Sequence, residues 1–467
     1  MERKMNKNAS EIEEINYSSK IHLSYAFGGF IVNFITSAFI VRTIYYYENE
    51  LFLSITLVGI AFLIFGVWNM INDPILGFLC DRKTRLTERW GRRFPWFIAG
   101  AFIYSFTYLL IFIVPFRDQL GMFIWLLITL LLYELFYSLW QINWLSLYPD
   151  KFRSQKERTK VSSFGAIAAQ FGVALGIIIP PLFITYGNIN SYIVAAFILM
   201  IINLFSVVLV IPGMREDKEL ISREIRIIEQ QNQKDSFWSI LKFAVKQKNF
   251  IAYNLFYIGH QVFMILVLSS LPFWTIYILR ARDPNIELIL AVSFLFGALL
   301  SIPLWFKVGR KLGNRKGFMI GSLLAVILSI PMLFISDFLT TVIMIFFLSI
   351  AIGAITTLMY PCLSDTIDEM VLQSGKRTEG TYSGIRTFAG RSAIVIQAIV
   401  FAVVHELTGY KAGASTQTPL ALWGIRVIMV LIPMIFYLVG FLLMWLVYDL
   451  KPEKVRDIKI LLKERGL

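Results

Sequence analysis

The chain has 467 residues, of which 57% are hydrophobic, 15% aromatic and only 16% charged, with a mean hydropathy of +0.67. A soluble chain of this length carries ~25% charged residues and divides into about three domains. So sparse a polar set could not cover a water-soluble body, which excludes a cytosolic enzyme and a disordered scaffold.

Residues 1–20 are polar and end without a small-residue cleavage site, so the first apolar run reads as a retained membrane span. Crossing a bilayer core takes roughly 20 apolar residues in a helix. Twelve such runs lie near 21–45, 53–81, 94–116, 120–148, 159–185, 190–212, 249–279, 286–307, 317–336, 339–369, 379–408 and 422–448. The expected class is an all-α membrane protein of twelve transmembrane helices. A polar segment at 1–20 precedes a first bundle at 21–212, and a charged linker at 213–248 leads to a second bundle at 249–449 and a tail at 450–467. Two stretches, D-S-F-W-S-I-L-K-F in the linker and V-R-D-I-K-I-L-L-K in the tail, are amphipathic and suit the inner membrane face.

The net charge of +13 is explained by its placement. Of the 44 Lys and Arg, 36 fall in the N-terminus, the tail and the loops on their side, and two more, Arg386 and Arg391, lie inside a span. Positive loops stay cytoplasmic, so a multi-pass protein of the cell membrane with both termini inside is expected. No aromatic-interleaved basic groove accompanies the charge, so no nucleic-acid partner is expected. Cys80 and Cys362 sit in apolar stretches and form no disulfide framework. The halves also echo each other. The loop after span 2 (D-R-K-T-R-L-T-E-R-W-G-R-R-F-P) matches that after span 8 (G-R-K-L-G-N-R-K-G) at an offset of 222, from Gly91 to Gly313. K-E-R-T-K-V-S-S-F matches G-K-R-T-E-G-T-Y-S-G at 219, from Arg158 to Arg377. Two parallel six-helix repeats follow, with a solute held between them near the midplane.

Polar groups inside spans are costly and mark function by default. In span 2, Asn69 and Asp73 lie at i and i+4 with Asn72 beside them, a set able to bind a cation or accept a proton, or to pin helices together. Span 4 carries Glu134, Ser138 and Gln141 beside Tyr137, Trp140 and Trp144. That pattern suits a sugar's hydroxyls and ring face, and equally suits packing or an interfacial belt. Span 1 offers Asn33 with Thr36 and Ser37, and span 7 offers Asn254 and Gln261 near Tyr257. His260 in span 7 reads as a helix–helix hydrogen bonder. In span 11, Arg391 lies ~20 Å deep and Asp73 ~12 Å deep in its own span, a gap that a guanidinium can bridge. An Asp73–Arg391 pair is expected across the halves, as a coupling element or as a structural lock. Asp365 and Asp368, at the cytoplasmic end of span 10, belong either to an interhelical charge network with the basic loops or to a solvated helix end. Arg386 is grouped with these charges. No nucleophile–base pair, phosphate loop or metal-ligand set stands at a workable spacing, so neither an enzyme nor a cofactor is expected.

The segment W-x-x-I-N-D-P (Trp68 to Pro74), continuing through Gly77, Asp81, Arg82, W-G-R-R and Pro95, resembles the span-2 signature of the glycoside–pentoside–hexuronide:cation symporters of the major facilitator superfamily. S-D-T-I-D-E followed by K-R-T-E-G-T-Y-S-G-I-R-T-F-A-G-R resembles that family's span-10/11 signature. The resemblance runs along the whole chain. It implies the major facilitator fold, alternating access and a cation site between spans 2, 4 and 11. The chain also departs from the pattern. Asn69 replaces an acid one turn before Asp73. Asn33 and Gln141 stand where melibiose permease has sugar-binding acids, and Arg391 replaces a Lys. An arginine cannot deprotonate, so it leaves less charge for a cation. Three couplings stay open: Na⁺ with amide oxygens replacing a carboxylate, H⁺ at Asp73 or Glu134, or none. The expected partners are a sugar-like small solute, a coupling Na⁺ or H⁺ and the lipid bilayer, with the protein a monomer. Alternatives are symport of a lysophospholipid or other amphiphile, uncoupled uniport, and a non-transporting membrane sensor.

Overall fold

The computed structural model describes residues 17–80, 87–152, 155–222, 237–375 and 379–465. The loop motifs at 81–86 and 376–378, and the side chain of Arg158, lie outside the described residues.

Among the described residues, twelve helices are long and apolar enough to cross a membrane. They are α1 (Ser19–Glu50), α2 (Ile55–Cys80), α3 (Phe94–Phe112), α4 (Gln119–Lys151), α5 (Gln155–Ile178), α6 (Ile189–Met214), α7 (Lys248–Ile278), α8 (Pro284–Leu312), α9 (Asn314–Met332), α10 (Phe338–Ser374), α11 (Glu379–Thr408) and α12 (Pro419–Leu446). Their uninterrupted apolar runs keep every backbone hydrogen bond inside one segment, as hydrocarbon requires. Five helices that start at the end opposite the termini are capped by a side chain accepting a backbone N–H: Asp118, Asn188, Asp283, Asp337 and Thr418 begin α4, α6, α8, α10 and α12. At the other end Glu216 does the same for α3, accepting from the N–H groups of Arg92, Arg93 and Phe94 at 3.1, 2.7 and 3.0 Å. A carboxylate at a helix N-terminus meets both the unpaired donors and the helix dipole.

The packing repeats. Helix α1 lies on α5 and α6, α2 on α4, and α3 on α4 and α6; α7 lies on α11 and α12, α8 on α10, and α9 on α10 and α12. The first helix of each set even ends the same way. Both α1 and α7 close in a wider π-helical turn, Tyr46–Glu50 and Trp274–Ile278. Each is followed by a non-glycine residue with left-handed φ, Phe52 at 57° and Arg280 at 55°. A bulky residue is rarely placed there, so its recurrence 228 positions apart is a built feature. The seam between the two sets runs along α2–α11, α1–α7 and α5–α8.

Helix α1 reaches Glu50, five residues past the apolar run read from sequence, which brings Glu48, Asn49 and Glu50 into the helix. The amphipathic linker stretch is helical at Phe237–Ala244, and the tail stretch lies in the helix Pro452–Glu464, which packs on α10. There Lys454 Nζ is 2.6 Å from Glu369 and 2.7 Å from Asp449. Asn249 donates to the same two carboxylates at 2.6 and 2.7 Å. Burial alone would raise the Asp449 carboxyl, but hydrogen bonds from Lys248, Lys454 and Asn249 outweigh it and hold the group well below the usual carboxylate range.

A cross-seam charge cluster as the candidate functional site

Gly59, Gly66 and Asp73 recur every seven residues on α2 and face α11. A Cβ at Gly59 or Gly66 would run into Ala402 or Val395, so the two glycines let the helix backbones close up. That approach carries Asp73 to Arg391. The guanidinium Nη2 is 2.5 Å from Asp73 Oδ2, and Nη1 is 4.0 Å from Glu134 Oε1 on α4. Arg391 also donates to the Asn69 carbonyl oxygen. Glu134 is buried and accepts from Ser138 Oγ at 3.0 Å, while Asn72 Nδ2 donates to the Glu134 backbone oxygen at 3.4 Å.

Two acids and one arginine therefore meet across the seam. Three oxygens on one face of α2 remain buried without a donor: Asn69 Oδ1, Asn72 Oδ1 and Asp73 Oδ1. An unpaired buried oxygen is costly, and such a set can accept either a donor proton or a cation. Among the described residues no group of three or more His, Cys, Asp or Glu could hold a metal ion.

The remaining polar residues divide into available and occupied groups. Asn33, Tyr137, Gln141 and Gln261 are half-buried. Asn33 donates to Gly29 within its own helix at 2.9 Å, and Gln141 donates to the Tyr137 hydroxyl at 2.8 Å. Asn33 and Gln261 stand 228 positions apart, at equivalent places on α1 and α7. Trp144 follows the packing alternative: its indole stacks on Tyr25 at 5.7 Å and donates to the Tyr25 carbonyl at 3.0 Å. Asn254 is buried and donates to Phe250 at 2.7 Å, while its Oδ1 has no hydrogen-bond partner. His260 bonds the Tyr437 hydroxyl at 2.8 Å, a helix–helix contact.

Among the described residues Arg386 is paired with no acid. Its guanidinium lies over the rings of Tyr257 at 3.9 Å and Tyr360 at 5.1 Å, with Nη2 3.2 Å from Met359 Sδ. It is five residues from Arg391, which on a helix turns it to a different face. Asp365 accepts from Asn314 at 2.8 Å and lies 3.3 Å from Lys459 of the tail helix. It thus ties α10 to the start of α9 and to the tail. Asp368 lies half-buried one turn further on.

Several residues that the sequence reading passed over form a second contact set across the seam. Arg42 of α1 lies 2.6 Å from Glu287 of α8, with both side chains fully buried. Glu48 is 2.8 Å from His405 Nδ1, again buried. Asn49 Oδ1 accepts from the Tyr410 hydroxyl at 2.6 Å, the Gly413 N–H at 3.2 Å and the Tyr277 hydroxyl at 3.4 Å. All of these lie at the end opposite the termini. The tail-helix cluster and the Glu216 cap, at the termini end, stay within one half.

The family profile described as MFS/sugar transport protein matches residues 24–451. The chain belongs to this major facilitator family. It is a multi-pass membrane transporter, and its relatives are named as symporters. The uncharacterized symporter YnaJ of Bacillus subtilis (strain 168) is 24% identical over 460 residues, covering 96% of this chain and 95% of that one. The sodium-dependent lysophosphatidylcholine symporter 1 of Xenopus tropicalis is 21% identical over 433 residues, covering 84% of this chain and 80% of the other. Among solved structures, the inward-open xylose transporter XylE from E. coli aligns with a TM-score of 0.63 at 13% identity, over 94% of this chain and 99% of that chain. At that identity the match speaks for the fold alone. The major facilitator architecture accounts for the doubled helix packing and for a charge cluster at the seam.

Proposed function

We propose that this transporter is a cation-coupled symporter of a sugar-like solute, of the glycoside–pentoside–hexuronide type, working by alternating access in the cell membrane with both termini cytoplasmic. The observation that carries the reading is the Asp73–Arg391–Glu134 cluster spanning the seam beside three donor-free oxygens on α2. A cation entering among those oxygens competes with the guanidinium for Asp73. The number of charges holding α2 to α11 then depends on occupancy. The oxygen set favours Na⁺ over a purely protonic coupling, and no further cofactor is required. With the termini inside, the contact set at Glu48 and Arg42 lies at the extracellular end and holds the two halves together there. Asn33 and Gln261, one from each half, together with Gln141 and Tyr137, supply donors and acceptors to a solute's hydroxyls. The protein works as a monomer, since both halves of the pathway come from one chain.

The test is uptake into proteoliposomes with Na⁺ and pH gradients imposed separately, offering labelled glycosides and lysolipids. Na⁺-driven accumulation of a glycoside that is lost in Asp73→Asn supports the reading. Accumulation of glycoside that ignores both gradients would overturn the coupling. A second reading, an amphiphile as cargo, rests on the similarity to the lysophosphatidylcholine symporter, and the lysolipid arm of the same assay decides it.

A further inference from the structure

Arg386 is 7% exposed, and among the described residues no carboxylate lies within ion-pair distance of it. Its Nε has no hydrogen-bond partner. The chain's other central arginine, Arg391, has two acids. A guanidinium withdrawn from water with no counter-charge is a poor structural element, because desolvation is offset only in part by aromatic faces. Its surroundings are built to keep it in place. Gly390 has no side chain, and a Cβ there would strike the Tyr257 ring, so the glycine lets Tyr257 lie flat beneath the guanidinium. Tyr360, on α10, is 64% exposed and flanks the other side. The guanidinium only donates and the phenols can donate or accept, and among the described residues this cluster contains no carboxylate. It stands five residues, ~7.5 Å, nearer the termini than the Asp73 pair.

We infer that Arg386, with Tyr257 and Tyr360, forms an anion-recognition site for the transported solute, and that the preferred cargo carries a carboxylate or phosphate beside its hydroxyl-bearing part. This rests on the symport reading above and narrows it. A planar fork of donors matches either oxyanion two bonds at a time. The coupling cation at α2 then travels with a cargo whose charge is met by its own arginine, rather than competing for Arg391.

The test compares methyl glucuronide, methyl glucoside and lysophosphatidate in proteoliposomes, with thermal shifts measured in detergent in parallel. The wild-type chain is expected to favour one anionic probe over the neutral glucoside by about 10-fold or more in KM. The carboxylate and phosphate arms distinguish the two oxyanions. In Arg386→Gln that ratio is expected to collapse toward one, while Arg386→Lys, which keeps the charge and loses the fork, retains part of it. Should Arg386→Gln not fold, the lysine variant alone carries the comparison. A neutral glucoside taken up as well as the anions, or a ratio unchanged in the variants, overturns the inference and leaves the symport reading standing. If the wild-type chain neither accumulates nor is stabilised by any of the three probes, both fall.

Discussion

The two halves share a backbone plan and diverge in chemistry. Helices α1 and α7 correspond residue for residue at an offset of 228. Tyr25 and Tyr253 are both buried and both donate to a carbonyl of a neighbouring helix, of Trp144 and Met359. Their wide turns and left-handed residues superpose in sequence. Yet where α1 ends in Glu48, Asn49 and Glu50, α7 has Ile276, Tyr277 and Ile278. In the middle of the molecule the first half brings the acids Asp73 and Glu134, and the second brings the arginines. Doubling therefore supplies the backbone geometry, and the attraction across the seam comes from filling equivalent places with unlike residues.

Removing one side of that attraction tests the contrast most severely. Arg391→Gln leaves Asp73 and Glu134 together without a cation. The expected loss is ~3–5 kcal/mol in thermal unfolding in detergent, with uptake abolished. A melting point unchanged from wild type would show the cluster to be solvated and inert. A somewhat smaller effect is expected at the sealed end. Arg42→Gln strands Glu287 and should shift the population by ~3 kcal/mol toward opening there. A cysteine placed at Ile276, buried at the seal, would then become accessible to an impermeant maleimide. Replacing both partners by methionine should restore the seal, since two apolar side chains leave no charge behind.

Asn33→Ala and Gln261→Ala probe the doubled positions themselves. Each is expected to raise the solute KM several-fold, about 1 kcal/mol per lost hydrogen bond. If only one of them moves KM, the solute leans on one half and the symmetry ends at the backbone. The smallest effect is expected in the tail cluster. The depressed Asp449 carboxyl contributes stability above its unfolded value near 4, which is lost as pH falls through the folded value. Asp449→Asn should thus lower the melting point slightly at pH 7, by under ~1 kcal/mol after solvent screening. The difference from wild type should vanish under strong acid.

The twelve spans were legible because hydrocarbon leaves no alternative to long apolar helices. The carboxylates and arginines within them were legible because such groups are rare there. Asp73 and Arg391 could be paired on depth alone. Arg42 and Glu287 could not: each lies near a helix end, where a charge ordinarily meets water, and only the closing of the seam, with α7 on α1 and α8 on α5, brings them together out of water. The acid-rich Glu48–Glu50 stretch resembled a loop for the same reason. Arg386 was grouped with the pairing charges because a buried cation suggests a buried anion, and periodicity says nothing of which rings lie beside it.

Helix α1 runs without a break from Asn33 through Arg42 to Glu48, a distance of ~22 Å along its axis. The same rod thus carries the proposed solute contact at Asn33 near its middle and the Glu48–His405 contact at one end. A stiff lever cannot move its middle without moving its tip. Any solute that tilts α1 by its grip on Asn33 also pulls Glu48 against His405. With the proposed grip at Asn33, a change that weakens the Glu48–His405 contact is expected to alter solute affinity as well.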